Sequence, residues 1–204
     1  MILKLLILEA RLWRSMYAWL RRRPLGPDDF PYHARSQVSL IMGVLVLTTP
    51  LEIAILELLI PWPWLRIVTL VVALYALLWV VMLFASLRSI PHRMTKQGLE
   101  LRYGALAGGF IPYAQIAEAH VAMANAPQFG DGLQVENDKA YLAIAGETNL
   151  LIRLKEPICL DKTFGQTPPV REIHFATDEP KRMIERLVAR LKPVETEAAL
   201  TSQT

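Results

Sequence analysis

Cysteine is almost absent from this chain of 204 residues: Cys159 stands alone. That excludes an internal disulfide and a thiolate metal cage, and it fits a reducing compartment. Histidine is nearly as thin. His33, His92, His120 and His174 are widely scattered, with no i, i+4 pair and no Cys or acid at ligand spacing, so no metal motif is present. There is no G-x-S-x-G elbow and no Gly-rich phosphate loop; Gly108-Gly109 reads as a turn before a strand. Asp131, Glu136 and Asp138 share one loop, where solvated acids are the default. Charge of one sign is not in large excess either. Lys and Arg number 22 against 19 Asp and Glu, a net +3 that gives little reason to expect nucleic acid as a partner. These gaps leave no catalytic set, no cofactor and no metal, and the expectation is a protein that is not an enzyme.

What the chain has in abundance is apolar sequence: 53% hydrophobic residues and a mean hydropathy of +0.29. It is concentrated in two runs, Val38–Ile60 and Leu65–Leu87, joined by Pro61-Trp62-Pro63-Trp64. Each run is long enough to cross a hydrocarbon layer of ~30 Å, which takes ~20 helical residues. Four connecting residues cannot carry a chain back across a bilayer, so the two runs must form a tight antiparallel hairpin. In the first run the Leu, Ile and Val residues favour insertion by about 4–8 kcal/mol, against about 2.5–3.5 kcal/mol for a central charge. Glu52 and Glu57 lie toward the Pro61 end and escape the full penalty. The soluble alternative, two buried core helices, fits poorly with runs of this length.

Orientation follows from the basic residues. Lys4, Arg11, Arg14, Arg21, Arg22, Arg23 and Arg35 precede the first run, and Arg88, Arg93, Lys96 and Arg102 follow the second. The turn has Arg66 alone. Cations near helix ends mark the cytoplasmic side, so the expectation is a multi-pass protein of the inner or plasma membrane with both termini cytoplasmic. Trp62 and Trp64 then sit in the opposite interface, where indole rings prefer to lie. Arg66 returns to within a helical turn of Glu57, and a structural ion pair between them is the plainer reading. The other reading makes Glu52 and Glu57 part of an ion or proton path.

Met1–Arg23 places Lys4, Arg11, Arg14 and Arg21 on one narrow polar stripe of an apolar helix. The charges interrupt any signal-peptide core and disfavour a third span. A helix lying in the cytoplasmic interface, with Arg21, Arg22 and Arg23 at the headgroups, fits best; the alternative packs it on the hairpin or on the soluble part. Pro24–Ser36 is a Pro-rich connector, and Pro50 predicts a kink in the first run.

From Pro91 short alternating segments take over. HRMT-KQG-LELRYG reads as a β-hairpin with Leu99, Leu101 and Tyr103 on one face. FIPYAQIAEAHVAM continues as extended strands about Pro112. Asn125–Lys139 reads as a loop, AYLAIA and NLLIRL as strands, ICLDKTFGQTPPV as a strand end and a loop, and REIHFATD as the last strand. Asp178 then caps a helix with Ile184, Leu187, Val188 and Leu191 on its buried face. Pro193 stops it, and Val194–Thr204 reads as a disordered tail.

The motifs Pro91-His92-Arg93-Met94-Thr95, Gly98-Leu99-Glu100-Leu101-Arg102-Tyr103-Gly104 and Ile111-Pro112-Tyr113-Ala114-Gln115-Ile116, with the closing REIHFATDEPKRMIERL, resemble the bacterial membrane-anchored pleckstrin-homology-like family. The resemblance spans Pro91 to Leu191. It implies a partly open seven-stranded barrel plugged by a helix at one end, and supplies a fold rather than an activity. The expected class is therefore a membrane α+β protein. Residues 1–35 form an interfacial helix and connector and 36–88 a transmembrane hairpin. Residues 89–193 form a small antiparallel barrel of pleckstrin-homology type capped by a helix, and 194–204 a tail. Phosphoinositide-binding relatives cluster Lys and Arg in the first strand-turn-strand; here that unit offers Arg93, Lys96 and Arg102 without a paired basic arrangement. These three are the candidate contacts for an anionic inner-leaflet lipid or a protein partner. The functional expectation is a binding or scaffolding module at the inner face, with a homo-oligomer left open. The alternatives are a small transport or channel subunit using the intramembrane acids, and an enzyme with an unrecognised site.

Overall fold

The computed structural model describes residues 2–21, 24–33, 38–128, 130 and 132–201, with backbone alone at 2–4, 38, 39, 41 and 192–201. Three helices fill the first part: α1 (Ile2–Leu20), α2 (Val38–Leu59) and α3 (Pro63–Ser89). Both α2 and α3 are long and apolar enough to cross a membrane. Pro63 opens α3 at its first position, where a missing N–H costs nothing. The linker therefore shrinks to Ile60-Pro61-Trp62. The helix α2 runs without interruption through Pro50. The hydroxyl groups of Thr48 and Thr49 both donate to the Leu45 carbonyl one turn back, at 3.3 and 2.7 Å. Such back-bonding supplies local polar partners beside the bond that proline removes.

The remainder is a two-sheet domain. The first sheet takes β1 (Asp29–Phe30), β2 (His92–Met94), β3 (Gly98–Tyr103), β4 (Ala107–Pro112), β9 (Asp161–Lys162) and β10 (Gly165–Gln166), in that order. The second takes β5 (Ile116–Asn125), β8 (Glu147–Ile158), β11 (Val170–Phe175), β7 (Lys139–Ala143) and β6 (Gly132–Glu136). A short 3-10 turn, Tyr113–Gln115, leads from the first sheet into the second. The expectation of a barrel needs correction on two points. The expected barrel is partly open, seven-stranded and antiparallel; the strands form two sheets of six and five, and β11 pairs with β7 in parallel, inserting between β7 and β8. Two local expectations also change. The Asn125–Lys139 loop contains β6, which pairs with β7 from Gly132↔Ala143 to Glu136↔Lys139. Gly108 and Gly109 lie inside β4, not in a turn. At Gly108 a Cβ would come within 2.6 Å of the Leu101 carbonyl oxygen, so the close approach of the neighbouring strand's backbone calls for glycine.

The connector proves to be part of this domain. β1 pairs with β2, and Phe30 and Tyr32 are buried in the same core as Leu99, Leu101, Ile111, Ile152, Ile173 and Phe175. The Tyr32 hydroxyl accepts the Gly104 N–H at 2.7 Å, while Thr177 Oγ1 and the Asp178 N–H donate to the Pro31 carbonyl. The core expected to start at residue 89 thus also includes Phe30 and Tyr32 from before the hairpin. The α2–α3 hairpin is an insertion between the first strand of the domain and the second. Alternation could not show this, since a segment as rich in proline as PLGPDDFPY carries no strand signal.

The last helix, α4 (Pro180–Thr201), buries Met183 and Leu187 against the core, with Ile184 and Leu191 partly covered. Pro180 takes its first position and the Glu179 carbonyl receives the Met183 N–H at 3.0 Å, one residue later than an Asp178 cap would place it. The helix passes Pro193 and continues to Thr201, over the ground expected to be a tail. A proline removes one backbone bond, and the Glu-Thr-Glu-Ala-Ala-Leu run that follows contains good helix formers. Residues 202–204 lie outside the described ones.

Candidate functional site

The site is assembled where α1, the end of α3 and the first sheet meet. On α1, Leu8, Leu12, Ser15 and Met16 recur at helical spacing and face α3. Leu8 and Leu12 are buried with Met82, and Leu78, Trp79, Leu83, Ala105 and Leu106 complete that cluster. The Tyr75 hydroxyl donates to Glu9 at 2.9 Å, and the Ser89 hydroxyl donates to the Ser15 carbonyl at 3.0 Å. Contacts advance together along both helices, so α1 and α3 run in the same direction. The expected interfacial helix therefore spends one face on α3, as in the packed alternative.

The β3–β4 turn closes the junction. Gly104 adopts φ +50°, and a Cβ there would fall 2.7 Å from Ser86 Oγ and 3.0 Å from Leu87 Cδ2. Next to it the Ala105 N–H donates to Ser86 Oγ at 3.3 Å. Only glycine combines this left-handed backbone with contact against the helix. The last two turns of α3 are accordingly buried at Met82, Ala85, Ser86 and Leu87.

Between these walls lies a groove of ≈ 710 Å³. One wall is Arg11, Arg14, Ser15 and Ala18 of α1, with Ser89, Ile90 and Pro91 at its floor. The facing wall is the β3–β4 hairpin with Arg93, and the rim carries Asp161 and Lys162 of β9. Five cations (Arg11, Arg14, Arg93, Arg102 and Lys162) face two carboxylates, Glu100 and Asp161. Two of the five are engaged. Arg93 Nε donates to Asp29 Oδ1 at 2.8 Å, a bond that holds the guanidinium proton even more firmly than usual. Arg102 reaches Glu100 at 3.2 Å. Arg11, Arg14 and Lys162 have no acidic partner among the described residues, so the groove carries uncompensated positive charge.

The structure brings together some of the expected residues and separates others. Arg93 and Arg102 line the groove, whereas Lys96 sits in the β2–β3 turn at the other end of the hairpin. Trp62 and Trp64 are exposed at the hairpin tip. Arg21 lies 4.4 Å over the Tyr17 ring; Arg22 and Arg23 fall outside the described residues. Glu57 and Arg66 border one small pocket with Ile53, Leu56, Thr69 and Leu70, but the expected ion pair is not formed. Arg66 Nε instead donates to the Ile60 carbonyl at 2.7 Å, because the α2 helix ends there with free carbonyl groups. Glu52 and Glu57 are both exposed.

The histidines take structural places. His92 is buried between Tyr32, stacked at 4.7 Å, and the edge of Phe175. Its Nε2 lies 3.0 Å from the Ala176 carbonyl and its Nδ1 accepts the Arg102 N–H at 3.1 Å. Nε2 must then carry the single proton, and burial pushes the ring down to about 4. His174 does face outward from the second sheet, yet it is buried against Tyr141, stacked at 4.7 Å, and burial lowers it too. Beside it Lys139, Glu172, Arg153 and Glu118 form an alternating row across four strands. Among the described residues no group of three or more His, Cys, Asp or Glu could hold a metal ion.

Sequence reasoning missed Arg11, Arg14 and Lys162 as members of one site. An arginine pair three residues apart on one helix face was the available signal, but it was absorbed into the polar stripe. Lys162, in the short DKTFG turn, offered none. The chain matches no protein-family model, no curated protein and no solved structure, and its site is read from its own geometry.

Proposed function

We propose that this chain is a membrane-anchored, non-enzymatic binding module that holds an acidic ligand in the groove between α1 and the first sheet. In this reading α2 and α3 cross the membrane, Trp62 and Trp64 rest in the far interface, and the domain, of pleckstrin-homology-like type, sits at the cytoplasmic face of the inner or plasma membrane. The exposed apolar surface of α2 and of the first part of α3 supports the crossing. The basic asymmetry of the sequence supports the orientation. Insertion of the hairpin within the domain supports a module held close to the membrane at both ends of the hairpin, without a swinging linker.

The observation that carries the binding role is the set of three unpaired cations, Arg11, Arg14 and Lys162, converging on one groove from α1 and β9. Unpaired charge in a concave site is what a ligand of opposite sign would satisfy. The test is purification of the tagged protein in mild detergent, side by side with an Arg11→Gln/Arg14→Gln/Lys162→Gln variant, with co-purifying proteins and lipids identified by mass spectrometry. The wild type should retain acidic companions that the variant loses. Identical companions on the two proteins would refute a ligand in the groove.

A further inference from the structure

We infer that the ligand of this groove is an anionic phospholipid of the same bilayer, its phosphate held between Arg11 and Arg14 and its acyl chains lying on the apolar flank of α1 and α3; this rests on the binding role proposed above. The first support is chemical. Arg11 and Arg14 stand three residues apart on α1, so their Cβ atoms are about 5–6 Å apart on one face. Two guanidinium forks at that spacing can share the oxygens of a single phosphate, the geometry that favours arginine over lysine for such groups. Both arginines are exposed and lack an acidic partner among the described residues, and Lys162 faces them from β9 as a third cation.

The second support is position. Along α3, burial begins at Met82, where α1 and the β3–β4 turn close on it. Before that point Val71, Val72 and Leu74 are open, and so are Leu5, Leu6 and Ile7 on the first turns of α1. The Tyr75–Glu9 bond ties α1 to α3 at the level of these open residues. The apolar run Leu65–Leu87 is about 35 Å of helix at 1.5 Å per residue, enough to cross a hydrocarbon layer of ~30 Å with some tilt. The groove, lined by Ser89, Ile90 and Pro91, follows directly on the apolar run that ends at Leu87, at the level where lipid phosphates lie in the membrane reading. A soluble anion would use the three cations alone. A phospholipid satisfies them and also covers the adjoining apolar surface, without leaving its bilayer.

The experiment uses the full chain in nanodiscs of phosphatidylcholine with or without phosphatidic acid, released into native mass spectrometry to count retained lipids. Wild-type protein should keep a phosphatidic acid adduct, and Arg11→Gln/Arg14→Gln should reduce its occupancy at least about tenfold, as loss of charge-assisted bonds implies. Lys162→Gln, on a separate element, should lower it independently of any change in α1 packing. Lys155→Gln, on the exposed face of β8 and outside the groove, should leave it unchanged. Phosphatidic acid retained equally by wild type and both groove variants would overturn the lipid site. Soluble glycerol 3-phosphate bound as tightly by wild type in pure phosphatidylcholine discs, and lost in the groove variants, would overturn the lipid assignment while sparing the groove. Failure of both ligands to bind wild type would overturn the binding role itself.

Discussion

From Pro63 to Val81 the helix α3 leaves Ile67, Val68, Val71, Val72, Leu74 and Tyr75 open over about half of their surface or more, whereas from Met82 to Leu87 it closes four residues under α1 and the domain. Both stretches are apolar, and one helical hydrogen-bond ladder runs through them. They differ in what their side chains must match. The first stretch needs only an apolar surrounding, which in the membrane reading is lipid, and many Leu, Ile and Val arrangements would serve. The second must fit particular neighbours: Met82 against Leu8, Leu12 and Leu106, and Ser86 against the turn at Gly104. A hydrophobic run in sequence therefore reports how much apolar surface exists, but not which part of it meets protein.

The sharpest way to break this contrast is to truncate an aromatic that lies before the hairpin yet belongs to the domain core. Phe30→Ala should destabilise the domain by about 3–5 kcal/mol, the range for a fully buried aromatic. Leu58→Ala on α2, where the side chain is 89% exposed, should leave domain unfolding unchanged. Thermal unfolding of both variants in nanodiscs, followed by near-UV circular dichroism, makes the comparison. An unaffected Phe30→Ala domain would show that the connector is not part of the core.

Acid should act on the domain alone. His92 is held near 4 in the fold against 6.5 when free. Between those values the unfolded chain binds the extra proton, so stability is intact above about pH 6.5, falls as pH drops toward 4, and levels below. The loss from this residue is about 3 kcal/mol. His92→Gln should shrink the pH dependence of the domain melting temperature over that window, though it lowers stability at neutral pH. His33 and His174, also lowered by burial, contribute the part that remains. Helicity of the hairpin should not follow the same curve.

Gly104→Ala tests the seam between the two kinds of surface. The left-handed backbone and the 2.7 Å approach to Ser86 Oγ should together cost about 1–3 kcal/mol. The expected readout is faster amide exchange at Ala105 and at the last turn of α3, with Pro63–Val81 unchanged. The smallest effect is expected at Asp28, which receives Arg186 at 2.9 Å and Arg190 at 2.8 Å on a partly exposed surface. Asp28→Asn should cost no more than about 1 kcal/mol. A larger value from chemical denaturation would mean that the connector is held by charge more than by Phe30 and Tyr32.

What could be read from the sequence follows the same division. The hairpin was legible because length and apolarity alone define it, and the Leu99, Leu101, Tyr103 face was legible because alternation is a local property. The pairing of β11 between β7 and β8 depends on contacts far apart in sequence, which no local pattern encodes. Strand β6 was hidden by its Gly- and Asp-rich approach, and α4 overran Pro193 because later helix formers outweigh one lost bond. The groove was half legible. Arg93 and Arg102 came from the first hairpin, while Arg11, Arg14 and Lys162 join them only through the docking of α1 and the fold of β9.

The connector also orders events during synthesis. Pro31 leaves the ribosome long before Thr177, its hydrogen-bond partner 146 residues later, and Phe30 waits equally long for Phe175 and Met183. The hairpin emerges within that interval, so in the membrane reading its insertion can precede closure of the domain. Once β1 is zipped to β2 and covered by α4, the segments on the two sides of the hairpin in sequence are held in one sheet. The stretch of α4 from Arg182 to Arg190 thus acts as a late latch on the connector, and a nascent chain halted before β11 would expose Phe30 and Tyr32 to chaperones.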